Sequence, residues 1–570
     1  MTTDPIRLDI PAPSARLRRP AGWTVFTVAV AALVALPVLV VLSRVTANTD
    51  GVWGHLASTV LGDYVANTLL LMLGVGLVVL VVGTGTAWLV TMHDFPGRGV
   101  LEWALLLPLA VPAYVMAYVY TDLLQFAGPV QTALRDIFGW TAQDYWFPAI
   151  RSVGGAVFVM GFVLYPYVYM LARSAFLAQS LCVLEVGRTL GRGPWGCFLE
   201  IALPLARPAI AAGLALALME TIADFGTVSY FAVNTFTTGI YRTWFGMGAP
   251  VAAAQLAAVM LVFVAILVAL ERWSRGRSRY HHTTGRYRRL APRRLPPLRA
   301  GLATLACATP VVIGFIIPAA DLARMAITVG DPWWGPRFFR FGINSFILAG
   351  LTAAIAVGLA LLLAYGVRLH PTRPARGAVR VAALGYAVPG SVIAVGILLP
   401  FAALDNAIDA AMRGWFGVST GLVLTGTIAG LTYAYLVRFL AVSYNTVEAA
   451  LGKIGPNLDR ASRTLGQTAT GTLVRIHAPL MRGGLMTAGL LVFVDVLKEL
   501  PATMILRPFN FDTLAIRAHR LAADERLAEA ATSALAIVLV GIIPVVLLSR
   551  AIARSRPGHV VTMESDPPLP

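Results

Sequence analysis

The sequence predicts an all-α integral membrane protein with about twelve transmembrane helices, built as two parallel six-helix repeats. Three observations carry that prediction: apolar runs long enough to span a bilayer, basic residues confined to alternate loops, and a set of residues that recurs at a nearly constant offset.

The apolar content comes first. Hydrophobic residues make up 58% of the chain and charged residues 13%, with mean hydropathy +0.74. A soluble domain carries about a quarter charged residues, so much of this surface faces something other than water. A net charge of +17 on a soluble chain would suggest nucleic acid. Here the basic residues lie between apolar runs, which points to loops beside anionic lipid and away from nucleic acid. Cys182, Cys197 and Cys307 match no zinc or redox spacing and read as small apolar residues.

Crossing the hydrocarbon core takes about 20 helical residues. Runs at 23–43, 66–92, 102–127, 152–177, 204–232, 250–271, 300–320, 344–368, 379–404, 420–443, 480–505 and 531–549 meet that length. The first is longer than the roughly 7–15 apolar residues of a signal peptide and lacks a clear cleavage pattern, so it reads as a span. Arg16, Arg18 and Arg19 precede it, which places the N-terminus in the cytoplasm.

The remaining loops agree with that orientation. With twelve spans, the loop at 272–299 is cytoplasmic, and it holds ten arginines. The loops at 369–380 and 438–482 and the tail with Arg550, Arg554 and Arg556 are basic and fall on the same side. Outside loops mix signs, as in Arg135, Asp136 and Asp144, or Asp405, Asp409 and Arg413. The expected division is a cytoplasmic tail (1–22), a first repeat (23–271), a basic cytoplasmic linker (272–299), a second repeat (300–549) and a cytoplasmic tail (550–570). His281 and His282 in the linker have no companion ligands and read as part of a lipid-facing segment.

Self-similarity defines the repeats. Asn67-Thr-Leu-Leu aligns with Asn344-Ser-Phe-Ile, His93 with His370 and Pro112 with Pro389, all at an offset of 277. Later the offset is 275: Arg188-Thr-Leu-Gly191 meets Arg463-Thr-Leu-Gly466, Pro204 meets Pro479, Arg207 meets Arg482, Glu220 meets Asp495 and Asp224 meets Glu499. Both copies begin on the same side, so the repeats are parallel and related by an axis along the membrane normal, where a pathway is expected.

The most specific pattern lies in the two long cytoplasmic loops. Each has an acid, a glycine, nine residues, Ile, one residue, an apolar residue and Pro. The copies are Glu185 to Gly191 followed by Ile201-Ala-Leu-Pro204, and Asp459 to Gly466 followed by Ile476-His-Ala-Pro479. The pattern resembles the EAA loop of binding-protein-dependent ABC importer permeases. Val186 and Gly187 stand in place of its alanines in the first copy, and Asp459, Arg460 and Ala478 depart from it in the second. The residue types suit a protruding helix: an acid near its start, a glycine for the turn that ends it and a proline opening the next helix.

The resemblance implies the type I ABC importer permease fold. It also implies two copies of a cytoplasmic ABC ATPase, one per loop, and a periplasmic substrate-binding protein. ATP and Mg would belong to that ATPase. The chain has no phosphate-binding loop of its own, because Gly452-Lys453 has Val447 and Ile454 where glycine and a hydroxyl are required. No catalytic motif and no tightly bound metal is expected. An ion-coupled transporter would not need two docking loops, and neither H-E-x-x-H nor G-x-S-x-G occurs.

For cargo, the fused length, Asp224-Phe-Gly226, Lys498-Glu-Leu-Pro-Ala-Thr503 and Arg507-Pro-Phe-Asn-Phe-Asp-Thr513 look most like ferric-iron permeases. Fused thiamine permeases share the architecture. Glu220 with Asp224, and Asp495 with Glu499, each share a helix face, and the axis brings these four towards one place. Ionisable groups inside spans face a bundle interior or a water-filled path, and carboxylate oxygens suit a hard cation. Two structural readings stand beside this one: Lys498 neutralises the acids, or they lie near the outer surface. The tyrosines Tyr114, Tyr118, Tyr120, Tyr165, Tyr167 and Tyr169 read as packing or interface residues. His93 and His370 read as capping or surface residues, with a symmetric metal exit as the sharper alternative.

Replacing both Gly191 and Gly466 by bulky residues is expected to uncouple ATP hydrolysis from uptake. Wild-type uptake by that double variant would remove the docking role.

Overall fold

The structure, a computed structural model, describes residues 22–179, 189–275, 293–329 and 335–554. It is an all-α membrane fold in which one series of helices occurs twice. Leu61–Met92 corresponds to Pro336–Leu369, Val153–Ala178 to Ile428–Gly452, Leu203–Ala223 to Arg482–Leu497 and Pro250–Arg275 to Leu527–Arg554. Among the described residues, nine helices are long and apolar enough to cross a membrane, or eleven if each of two bent pairs is one span. Each of the twelve expected runs falls on a helix. The tenth, Ile428–Gly452, stands outside those eleven; Arg438 and three tyrosines dilute its apolar character. A two-residue parallel pairing of His93–Asp94 with Arg293–Arg294 ties the end of Leu61–Met92 to the chain entering the second repeat.

Several runs that read as continuous are broken, and the breaks have local causes. The segments Arg98–Ala110 and Ala113–Phe138 meet at 93°. The residue before a proline is held out of the helical region, and Val111, before Pro112, lies at φ −94°, ψ 118°. Pro389 acts in the same way on Val388, at φ −83°, ψ 124°, so the ninth run is divided between the end of Arg373–Ala382 and Gly390–Phe416. The fifth run stops at Asp224 and resumes as Gly226–Tyr230. The eleventh stops after Leu497 and resumes as Pro501–Leu506. The tenth helix starts at Ile428 rather than 420 because the preceding loop folds onto Asp405. That carboxylate accepts hydrogen bonds from the amides of Val423, Leu424 and Thr425 at 3.0, 2.8 and 2.8 Å.

The first helix of each repeat lies across the other repeat. Gly22–Ser43 packs on the second: the Tyr433 hydroxyl donates to the Leu33 carbonyl (2.6 Å), and a Cβ at Gly396 would stand 2.2 Å from the Pro37 carbonyl oxygen. In return, the Tyr120 hydroxyl of the first repeat donates to the Ile313 carbonyl (2.8 Å) of the second repeat's first helix. The buried cores follow this exchange. One joins first-repeat helices to Cys307, Leu322 and the last helix of the second repeat. The other joins Val30, Val34, Val41 and the last helix of the first repeat to the second.

Gly396→Leu is expected to lift Gly22–Ser43 off its seat and destabilise the purified protein by about 1–3 kcal/mol, the usual range for overpacking. Gly358→Leu, where an added Cβ meets nothing within 4 Å, serves as the control. Equal melting temperatures for the two variants would exclude the close approach.

Candidate functional site

The broken helices create the site. Where Leu203–Ala223 ends, the amides of the next short helix have no carbonyl below them, and Asp224 supplies the acceptor. Its Oδ1 takes the amides of Thr227 (2.9 Å) and Val228 (3.2 Å), and its Oδ2 takes the Thr227 hydroxyl (3.1 Å). Glu499 repeats the arrangement in the second half. Its Oε1 accepts from the Ala502 amide (3.0 Å), and its Oε2 accepts from the Thr503 amide (3.1 Å) and hydroxyl (2.8 Å). The structure therefore gives these repeat-equivalent acids a capping role.

Their partners one turn earlier point between the halves. Glu220, of the first repeat, accepts the Tyr386 hydroxyl (2.8 Å) and lies 3.4 Å from Arg438 Nη2, both groups of the second repeat. Arg438 Nη1 lies 3.3 Å from Glu499 Oε1. One guanidinium thus touches an acid from each half, and its side chain is 8% exposed. Asp495 pairs with Lys498 at 2.9 Å. The four sequence-predicted acids, Glu220, Asp224, Asp495 and Glu499, all line one central cavity of about 110 Å³, with Tyr114, Tyr167 and Tyr386. The helix that begins at Gly390 can approach so closely only without a side chain: a Cβ there would stand 2.6 Å from Glu499 Oε1 and 2.8 Å from Arg438 Nη1.

The cavity shares part of its wall with a larger hollow on one side of the molecule. Leu109, Tyr167, Tyr386, Asp495 and Lys498 also line a vestibule of about 760 Å³ that reaches Glu271, Arg272 and Asn445, on the side of the helix Pro456–Thr464. On the far side a hollow of about 870 Å³, lined by Trp244, Phe509 and Arg520 among others, shares no lining residue with the cavity. Of the other tyrosines, Tyr165 packs in the core with its hydroxyl unpartnered, and Tyr118, Tyr120 and Tyr169 are engaged elsewhere. Tyr118 bonds His519 (2.6 Å), and Tyr169 donates to the Glu102 carbonyl (2.7 Å). His93 sits in the short strand pairing and His370 caps Pro336–Leu369, so neither lines the cavity.

Both loops that carry the repeated motif return to the bundle through a π-helical turn, Cys197–Ala202 and Leu473–His477, which hold Ile201 and Ile476; Pro204 and Pro479 open the helices that follow. Glu185 lies outside the described residues, as do both chain ends and the centre of the linker. Gly191 and Gly466 have φ of 79° and 75°, the left-handed conformation that a glycine adopts after a helix. At Gly466 the closure is a Schellman turn, with the Gly466 amide on the Arg463 carbonyl (3.0 Å) and the Gln467 amide on Ser462 (3.1 Å). Leu190, Trp195 and Leu465 project from the two loops, each at least 75% exposed.

Asp459 does something the sequence pattern did not indicate. Relative to Gly466 it stands one position earlier than Glu185 does to Gly191, so the strict repeat counterpart of Glu185 is Arg460, which is exposed. The Asp459 carboxylate turns inward. Its Oδ2 accepts from Arg368 Nε (2.9 Å) and Nη2 (2.7 Å), and its Oδ1 lies 2.9 Å from His477 Nε2. Arg368 also donates to the carbonyls of Leu451 and Ile454, each at 2.8 Å. The helix Pro456–Thr464 is thereby fixed to the end of Pro336–Leu369. Sequence reasoning missed Arg368, Arg438 and Tyr386. Arg438 had a readable signal, a charge inside an apolar run.

Residues 79–280 match the family described as binding-protein-dependent transport system inner membrane component. The chain is 26% identical to the Fe(3+)-transport system permease protein FbpB 2 of Haemophilus influenzae, over 94% of this chain and 99% of that one. It is 29% identical to the molybdenum transport system permease protein ModB of Escherichia coli K12, over 33% of this chain and 81% of that one. A crystal structure of a bacterial ABC transporter involved in import of the acidic polysaccharide alginate overlaps 46% of this chain and 96% of its own, at 17% identity and a TM-score of 0.35.

Arg368→Met leaves the Asp459 carboxylate without its guanidinium, a loss of about 2 kcal/mol for hydrogen bonds to a charged group. Amide exchange across residues 456–464 is expected to quicken about 30-fold, with a smaller change in Arg368→Lys. Unchanged exchange in both would show that the helix is held by other contacts.

Proposed function

From the premise that the chain is a permease subunit of an ABC importer, we propose that it carries ferric iron from a periplasmic binding protein into the cytoplasm. The observation that carries the cargo reading is the central cavity. Four carboxylates converge there against two cations, Arg438 and Lys498, and three tyrosine hydroxyls join them. Oxygen donors of this kind suit a hard cation. A molybdate-type oxyanion would meet the same carboxylates as a like charge. The similarity to a ferric permease along nearly the full length of both chains supports the same reading. Thiamine and other small solutes are the alternative.

The mechanism follows from the two repeats. Two copies of a partner ATPase dock on the helices around Glu185–Gly191 and Asp459–Gly466, and their closure on ATP moves both helices together. The repeats then rock about the central axis. The central cavity shares wall residues with the vestibule and none with the hollow on the far side, which supports a cytoplasm-facing conformation, with both chain ends on the cytoplasmic side in this reading. Pathway sites have to be weak, since a tight one would stall release. The protein hydrolyses no ATP itself.

Reconstituted permease, ATPase and binding protein are expected to take up labelled ferric iron in an ATP-dependent manner. Glu220→Gln with Asp495→Asn should lower that uptake about tenfold, equivalent to about 1.4 kcal/mol on the barrier. Uptake of labelled thiamine or molybdate in place of iron would move the cargo assignment to that solute and leave the permease assignment standing.

A further inference from the structure

We propose that Arg438 is a tethered counter-cation: between transport events its guanidinium occupies the Glu220–Glu499 carboxylate pair that a cationic cargo requires, and cargo passes by displacing it. The proposal rests on the cationic-cargo reading above. Among the described residues, no three His, Cys, Asp or Glu side chains are placed to hold a metal ion as they stand. The carboxylates are near one another, but Arg438 lies between two of them, 3.4 Å from Glu220 and 3.3 Å from Glu499.

Each carboxylate has an anchor that survives the departure of the guanidinium. Glu499 keeps the Ala502 and Thr503 amides and the Thr503 hydroxyl, and Glu220 keeps the Tyr386 hydroxyl. The acceptor geometry is therefore set by other groups, and the cation is the exchangeable part. Arg438 itself is held less completely, since its Nε is buried without a hydrogen-bond partner. The Tyr114 hydroxyl on the cavity wall is likewise buried and unpartnered, a free oxygen donor for an incoming cation. At the repeat-equivalent position of Arg438 the first half has Val163, so displacement happens from one half only. A buried carboxylate pair without any cation is strongly disfavoured, so exchange of one cation for another keeps the barrier closed to uncharged solutes.

The test uses the full chain in detergent and gallium(III) nitrilotriacetate, a redox-inert hard trivalent cation, in equilibrium dialysis with metal analysis. Arg438→Gln is expected to bind gallium at least tenfold more tightly than wild type. Arg438→Lys should stay near wild type, and the charge-balanced Arg438→Gln/Glu220→Gln double variant should lose the gain. Gel filtration of all three checks folding, and the double variant guards against a single variant that fails to fold. Binding by Arg438→Gln no tighter than wild type would overturn the counter-cation role, as would a gain that persists in the double variant. Labelled-iron uptake by the wild-type complex, run alongside, separates either result from failure of the iron reading.

Discussion

A helix that stops inside a membrane leaves amide hydrogens that no water will take, and two such stops organise this protein. In hydrocarbon every unsatisfied backbone group costs several kcal/mol. The chain meets that constraint at Asp224 and Glu499 with side-chain carboxylates turned onto the amides of the next short helix. Acids placed there bring negative charge to the interface between the repeats. Arg438, Lys498 and the tyrosine hydroxyls are arranged around that charge. The same residues therefore hold the broken backbone together and set the electrostatics of the central cavity, where both repeats contribute walls.

The two halves share a backbone plan but differ in charge. Asp224 and Glu499 are equivalent, as are Glu220 and Asp495, whereas Arg438 faces Val163, Lys498 faces Ala223 and Tyr386 faces Leu109 across the repeat. The same asymmetry reaches the motif-bearing loops: Arg368, which fixes the helix Pro456–Thr464, has Thr91 as its counterpart. Two copies of one gene product would have to carry each of these groups twice. With both halves in one chain, a single guanidinium serves an acid from each side.

The sequence pattern made the fold class and the two repeats legible, because apolar length, charge bias and spacing are local properties. It also identified the four acids, since a carboxylate inside an apolar run is conspicuous. The breaks at Pro112 and Pro389 were marked by residue type, yet their effect is to redirect a helix by 93° in the first case, which periodicity does not encode. Pairing was the least legible. Nothing in the sequence links Arg438 to Glu220, 218 positions away, or Arg368 to Asp459, 91 positions away. In the second loop the acid of the pattern, Asp459, stands one position out of register with Glu185, and its carboxylate serves the membrane helix Pro336–Leu369 instead.

The exchange of first helices has a consequence for biosynthesis. Ser43, at the end of the first helix, precedes Gly390, where the helix it packs on begins, by 347 positions (390 − 43). At about 5–20 residues per second, the first helix waits roughly 20–70 s for its seat to be synthesised. In water an unpaired apolar face would aggregate in that time. In a bilayer, lipid tails are as apolar as the eventual partner, so Val30, Ala31, Val34 and Val41 are held at little cost until the later helices arrive. Such an exchange over most of the chain's length is feasible because the solvent of the nascent protein is the membrane.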